Sequence, residues 1–288
     1  LVVPGEAPAR PLVPAGPQVQ ASKAGEKAPV RTYQDLLQDS HDERLLEHYG
    51  RSQLATVEAA SGKVTAIGAP AMWDRAEASP DGTLLLTQRV ERPFSYVQPL
   101  GSFPRVTEVM DFTGKVLCVV HKAPLQETVP IGGVPTGPRG IDWIPVLPHA
   151  LSWTEALDGG DPNKAVPQRD VVVRLDEPTA TARPWFKTEQ RVAGAQYGGD
   201  GTFVLASEMD RKTRRQRVWQ YDAKDPAKPG VQLYERSMQD AYGDPGRPIG
   251  ERLADGRSVL RMRSGALFLA GDGASPQGAR PFVDRWQL

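Results

Sequence analysis

A single cysteine, Cys118, stands in 288 residues, which excludes an internal disulfide. It lies in the run Lys115-Val-Leu-Cys-Val-Val120. Nothing there polarises a thiol, so the sequence predicts a buried structural cysteine rather than a catalytic one. Long apolar stretches are also missing. Leu84-Leu85-Leu86 and Val116 to Val120 have strand length, far from the roughly 18 residues of a membrane-spanning helix. Charge of neither sign is in excess. The 35 Lys and Arg balance 35 Asp and Glu, for a net +0. That removes any whole-chain electrostatic reason to expect nucleic acid or a membrane surface as partner. Histidine is scarce. His41, His48, His121 and His149 form no His-Glu-x-x-His pattern, and with one cysteine they give no zinc spacing. No metal and no cofactor are expected. His41 and His48, seven apart, would share a face of one helix, with a capping or surface role. Finally, no Gly-x-Ser-x-Gly pentapeptide occurs. The chain therefore lacks the sharp strand-to-helix turn that presents a serine nucleophile. Ser258 and Ser264 sit in turn material, so no catalytic residue is assigned.

Turn formers are abundant instead. The 27 Pro and 28 Gly approach a fifth of the chain and punctuate it at short intervals, as in an all-β fold. Residues 1–30 carry Pro4, Pro8, Pro11, Pro14 and Pro17 among Ala, Gly and Val. Such a segment can bury little and reads as a disordered or extended arm. The best helical pattern runs from Thr32 to Tyr49, with Leu36, Leu37, Leu45, Leu46 and Tyr49 near helical spacing. A turn at Asp39-Ser40 is expected to split it into two short pieces.

From about residue 52 a strand grammar takes over. Gln53 to Ala59 and Lys63 to Ile67 flank Ala60-Ser61-Gly62 as a leading hairpin. Ser79-Pro80-Asp81-Gly82 then precedes an apolar strand to Gln88, and Val106 to Asp111 with Lys115 to Val120 make a second hairpin. Tight turn and strand recur at Pro148-His149, at Gly199-Asp200-Gly201 and at Ala254-Asp255-Gly256. Later strands are read at Asp170 to Leu175, Gln216 to Asp222, Val231 to Tyr234 and Ala266 to Leu269. Gly82, His149, Gly201 and Gly256 are spaced by 67, 52 and 55 residues (149−82, 201−149, 256−201). Common propeller repeats run about 40–50 residues. The excess falls in Pro/Gly-rich links such as Pro124 to Gly140 and Asp158 to Pro167. The pattern predicts a β-propeller of four-stranded antiparallel blades over residues 31–288. About four to five blades are present, and the chain stops inside a strand, Phe282 to Leu288, as an incomplete ring. An open ring would leave blade faces bare and promote self-association. A β-sandwich of similar turn density is the alternative.

Three polar segments stand out. Asp158-Gly-Gly-Asp161 with Asn163 lacks calcium-loop spacing and reads as a polar turn. Arg211-Lys-Thr-Arg-Arg-Gln-Arg217 puts five cations in seven residues beside Asp210, Asp222 and Asp225. It reads as an ion-paired strand face, a nucleic-acid contact or a cationic site for acidic substrate. Glu91-Arg-Pro-Phe-Ser-Tyr96 is either a binding loop or packing between blades.

The chain resembles the glutamyl endopeptidase branch of the prolyl oligopeptidase family of serine peptidases. The resemblance rests on Arg31-Thr-Tyr-Gln-Asp-Leu-Leu37, Ser52-Gln-Leu-Ala55 with Gly62-Lys-Val-Thr-Ala-Ile-Gly68, and Ser79-Pro-Asp-Gly82. It continues through Arg92-Pro-Phe-Ser-Tyr96, Thr136-Gly-Pro-Arg139, Trp153 to Asp161, Lys212-Thr-Arg-Arg215 and Tyr242-Gly-Asp-Pro245. It implies a propeller followed by an α/β-hydrolase domain that carries Ser, Asp and His and is absent from these residues. The segment would then cover and gate the active site. Its partner would be a peptide substrate, reached through that further domain; nucleic acid and membrane are not expected. A peptidase that prefers Glu must compensate a buried carboxylate, which guanidinium does bidentately. Arg92, Arg139, Arg214 and Arg215, with Tyr96, are the substrate-binding candidates. A soluble periplasmic or secreted bacterial location is preferred over a cytoplasmic one. The rival reading is a non-enzymatic propeller used as an interaction scaffold. A carbohydrate-active propeller lacks the paired carboxylates it would need.

Overall fold

The computed structural model describes residues 33–225 and 227–288. The arm expected over residues 1–30 lies outside the described residues. The chain divides into two compact units, Leu1–Gly137 with Gly159–Asn163, and Pro138–Asp158 with Lys164–Leu288. Among the described residues no helix is long and apolar enough to cross a membrane.

The first unit opens with helix α1, Ser40–Gly50. The Asp39 side chain starts it by accepting from the His41 and Asp42 backbone N–H groups at 2.6 and 3.0 Å. Asp42 and Glu43 in the first turn and His48 in the last complement the helix dipole. Of the two helical pieces expected between Thr32 and Tyr49, only the second forms. Residues 33–39 are irregular, because the cap at Asp39 fixes the start of the helix there.

Hairpin β1 (Ser52–Val57) and β2 (Val64–Ala71) follows. A four-stranded antiparallel meander comes next: β3 (Trp73–Ala78), β4 (Leu84–Val90), β5 (Arg105–Asp111) and β6 (Val116–Ala123). The two inner strands are covered on both faces, and Leu86 and Val109, paired across them, are fully buried. Leu54 and Ile67 of the hairpin pack on Leu85 and Met110 of the meander. Hairpin and meander meet closely at two glycines. A Cβ on Gly114, whose φ is +88°, would fall 2.4 Å from the Gly68 nitrogen. The edge strand β6 leaves Val116, Leu117 and Val119 exposed. Cys118 on it is half-buried rather than buried, because an edge strand is covered incompletely. Burial pushes its thiol pKa up.

The second unit holds three four-stranded sheets and one two-stranded ribbon. The first is β7 (Arg139–Trp143), β8 (Leu151–Ala156), β9 (Asp170–Leu175) and β10 (Arg183–Thr188). The second is β11 (Arg191–Tyr197), β12 (Phe203–Asp210), β13 (Arg215–Asp222) and β14 (Val231–Ser237). In the third, β15 (Arg247–Pro248) and β18 (Met262–Arg263) share one edge of β19 (Ala266–Gly271), and β20 (Phe282–Gln287) pairs with the other. The short ribbon of β16 (Gly250–Arg252) and β17 (Ser258–Leu260) is a separate sheet, bridged at Leu260 to Gly198 beside β11.

The alternation of β12 shows how these sheets stack. Val204 and Ala206 point into a cluster with Val172, Trp185 and Phe186 of the preceding sheet. Phe203 and Leu205 point the other way, into a cluster with Leu260 of β17 and with Leu267 and Trp286 of the third sheet. Phe186 and Tyr221 stack with ring centroids 3.9 Å apart. The β11–β14 sheet is thus buried on both faces by the elements before and after it, which a two-sheet sandwich would not require. The fold is of the β-propeller class, nearly all β, built from four-stranded antiparallel blades.

The recurring turns share one device. Asp81, Asp200 and Asp255 each accept from the backbone N–H two residues on, and the glycines that follow them, Gly82, Gly201 and Gly256, have φ of +70°, +69° and +87°. The turn expected to match them at His149 is built differently. Ile144 N–H donates to the Ala150 carbonyl, and His149 meets Glu177 at 2.6 Å.

Candidate functional site

The five sequence candidates fall in three places. Arg92 and Tyr96, on the link between β4 and β5, come together on helix α1. Arg92 donates to Glu47 at 2.7 and 3.0 Å and to Glu43 at 2.6 Å, and the Tyr96 hydroxyl donates to Glu43 at 2.9 Å. The Arg92 guanidinium also lies 4.7 Å from the Phe94 ring centroid. Hydrogen bonds donated to Glu47 and then to Glu43 raise the Arg92 pKa, and in return Arg92 lowers that of Glu47. Burial, and then the hydrogen bond to Glu43, push the Tyr96 phenol up. The chemistry is a guanidinium and a phenol clasping carboxylates, and here those carboxylates are the chain's own.

Arg139, at the start of β7, enters a buried network in the second unit. It pairs with Asp170, whose side chain is fully buried. Arg191 donates to Asp170 at 2.8 Å and to both Asp158 oxygens at 2.7 and 2.6 Å. Arg169 reaches Asp158 at 2.8 Å, and the Val192 N–H donates to Asp170 at 2.9 Å. Burial opposes the Arg191 charge, but hydrogen bonds to Asp158 and Asp170 outweigh it and raise its pKa. Nearby on the same blades, Glu208 is buried and accepts from Gln190 N–H at 2.7 Å and from Trp219 Nε1 at 2.8 Å.

Arg214 and Arg215 stand at the β12–β13 turn, with Arg214 at φ +58°. Asp210 closes that turn by accepting from Lys212 N–H and the Thr213 hydroxyl. Arg215 pairs with Glu235 at 2.5 Å, and Arg217 with Glu189 at 2.5 Å and Glu235 at 3.2 Å. The cation run is thus largely an ion-paired strand face. Among the described residues Arg214 has no carboxylate within 4 Å.

The turn beginning at Asp158 is polar, as expected, but Asp158 itself faces inward onto arginine. Among the described residues no group of three or more His, Cys, Asp or Glu is placed to hold a metal ion. The sequence reading placed Asp158 in a polar turn and missed its buried pairing, and the roles of Asp170, Arg191 and Glu208 escaped it. Lone charges inside strand-like runs were the available signal. Their partners lie up to 33 residues away and meet only through blade topology.

No protein-family model matches the chain. Over 99% of its length it is 36% identical to a probable chloroplastic glutamyl endopeptidase of Oryza sativa subsp. japonica, and 35% identical to the one of Arabidopsis thaliana. It spans 31% and 30% of those proteins, about a third of their length. Among solved structures, an acylaminoacyl peptidase with a bound chloromethyl ketone aligns over 83% of this chain and 35% of its own. Its TM-score is 0.44 and its identity 10%. A manganese-bound oligogalacturonate lyase aligns over 83% and 72%, with TM-score 0.43 and 13% identity.

Proposed function

We propose that this chain, a homologue of the glutamyl endopeptidases over nearly its whole length, is the blade-bearing segment of a serine endopeptidase of the prolyl oligopeptidase family. The observation that carries the reading is 36% identity sustained across 99% of the chain. The segment has no Gly-x-Ser-x-Gly elbow, so the nucleophile is supplied by another part of the longer protein. Its role is to cover the active site and admit peptides while excluding folded proteins.

Selection of acidic peptides is the finer part of the proposal. Arg92, Arg139 and Arg215 already hold internal carboxylates. Arg214, exposed at a hairpin tip, therefore carries this expectation best, and Tyr96 joins Arg92 in a structural clasp.

The test is cleavage by the longer gene product. Short peptides should be cut after Glu faster than after Gln, and a folded protein of the same composition should resist. Equal cutting of both peptides would remove the acidic selection. Rapid cutting of the folded protein would remove the gating. An interaction scaffold is the second reading, favoured by the exposed Val116, Leu117 and Val119 on edge strand β6. A longer gene product with no peptidase activity would favour it.

A further inference from the structure

The first unit carries a cleft of about 750 Å³ between α1 and the strands beside it. One face of α1 forms its wall. Arg44, Glu47, His48 and Arg51 recur at i, i+3, i+4 and i+7, and all four line the cleft. Its floor is apolar, with Met72, Val90 and Phe94.

The charges sort themselves by partner. Glu47 is engaged by Arg92, and Arg89 by Glu91 and Glu108. Arg44 and Arg51 are different. Both are exposed, and among the described residues neither has a carboxylate within 4 Å. His48 keeps Nδ1 buried with no hydrogen-bond partner among the described residues. The wall therefore offers two guanidiniums with no direct carboxylate contact beside an apolar floor, Arg51 acting on Glu47 only through space.

We propose that this cleft binds an extended peptide segment of the pattern acid–x–apolar–x–acid. Arg44 lies within α1 and Arg51 is its C-cap, seven positions on, which puts their Cα atoms about 10 Å apart at ~1.5 Å per residue. Acids four residues apart on an extended strand stand about 13 Å apart and on the same face, with the middle residue between them. Two long arginine side chains span the difference. The middle apolar side chain then meets Met72, Val90 and Phe94. A single small anion would use one guanidinium and leave the floor bare, so the floor argues for a peptide. The proposal concerns binding in the first unit and does not depend on the peptidase reading.

The experiment is a titration of the chain with fluorescent acetyl-Gly-Glu-Ser-Leu-Ser-Glu-Gly-amide, read by anisotropy. Saturable binding is expected, weakening as salt rises. R44E/R51E should weaken it about tenfold or more, the effect of reversing two surface charge contacts. R261E/R263E, exposed arginines of the other unit, should leave it unchanged. Replacing the peptide's Leu by Ser, or both Glu by Gln, should weaken it comparably. Thermal melts of the two double variants should match the parent, since the altered side chains are exposed. Absence of binding to the parent chain would overturn the proposal. So would equal affinity in R44E/R51E, or displacement by millimolar inorganic phosphate as effective as by unlabelled peptide.

Discussion

Arginine holds carboxylates in two regions of this molecule, and the two regions spend the same chemistry differently. At α1, Arg92 clasps Glu43 and Glu47 at the surface, with 48% of its side chain exposed. In the second unit, Arg191 bridges Asp158 and Asp170, whose side chains are 0% exposed. The distances are alike, between 2.6 and 3.0 Å. Burial is what separates them. A surface pair exchanges one hydrated state for another and is worth little. A buried carboxylate without its partner is left with a desolvated charge. The first arrangement is thus an adjustable clasp on a helix, and the second is a fixed joint of the blade fold.

The sharpest way to break that comparison is to remove the bridging cation from each. Arg191→Met should destabilise the chain by about 2–3 kcal/mol, because Asp158 keeps Arg169 and Asp170 keeps Arg139 but both buried carboxylates lose their shared charge-assisted hydrogen bonds. Urea unfolding checks it. Arg92→Met should cost about 1 kcal/mol or less. A comparable loss for both would dissolve the distinction.

Alkaline pH sharpens the contrast next. Burial pushes the Tyr197 phenol up to about 12, against an unperturbed 10.0. The unfolded chain therefore loses this proton first as pH rises. The neutral phenol's contribution is full below about 10 and is lost as pH climbs toward about 12, a change of about 2–3 kcal/mol. Tyr221, also raised by burial to about 12, acts in the same direction. Tryptophan fluorescence should report unfolding of the second unit across that window.

A smaller effect is expected at Gly114. An alanine there needs a left-handed backbone and collides with Gly68. Gly114→Ala should cost about 1–3 kcal/mol. Gly82→Ala has the same sign of φ but open space around it, so it should cost about 1 kcal/mol. Paired melts separate strain from collision.

The smallest effect is at acid pH. Arg92 holds the Glu47 carboxyl below its ordinary 4.5. Its contribution is present above about 4.5 and fades as pH falls through the lowered folded value. In Arg92→Met that acid-side slope should flatten by a few tenths of a kcal/mol.

Much of the fold was legible because inner blade strands announce themselves. Leu84-Leu-Leu86 and Phe203-Val-Leu205 are apolar on consecutive positions because both faces are covered. The Asp-Gly turns before them mark where each strand begins. Of the outer strands, β6 and β14 were legible from their Val- and Leu-containing runs, while β3 and β11 were not. β3 reads Trp-Asp-Arg-Ala-Glu-Ala and β11 Arg-Val-Ala-Gly-Ala-Gln-Tyr, and neither has a consistent apolar face. Backbone pairing to an inner neighbour holds them, and pairing leaves little mark on composition. The candidate site was legible as residue types and not as partners. Arg92 and Glu43 are 49 residues apart, and Arg139 and Asp170 are 31. Only the fold decides that these guanidiniums meet carboxylates of their own chain.

The central proposal is that these residues supply blades while the chemistry of a longer peptidase lies outside them. Fluorophosphonate labelling followed by peptide mapping tests it most directly. The longer gene product should carry the label on one serine outside these 288 residues, and the isolated chain should stay unlabelled. A label on any serine within this sequence would contradict the account.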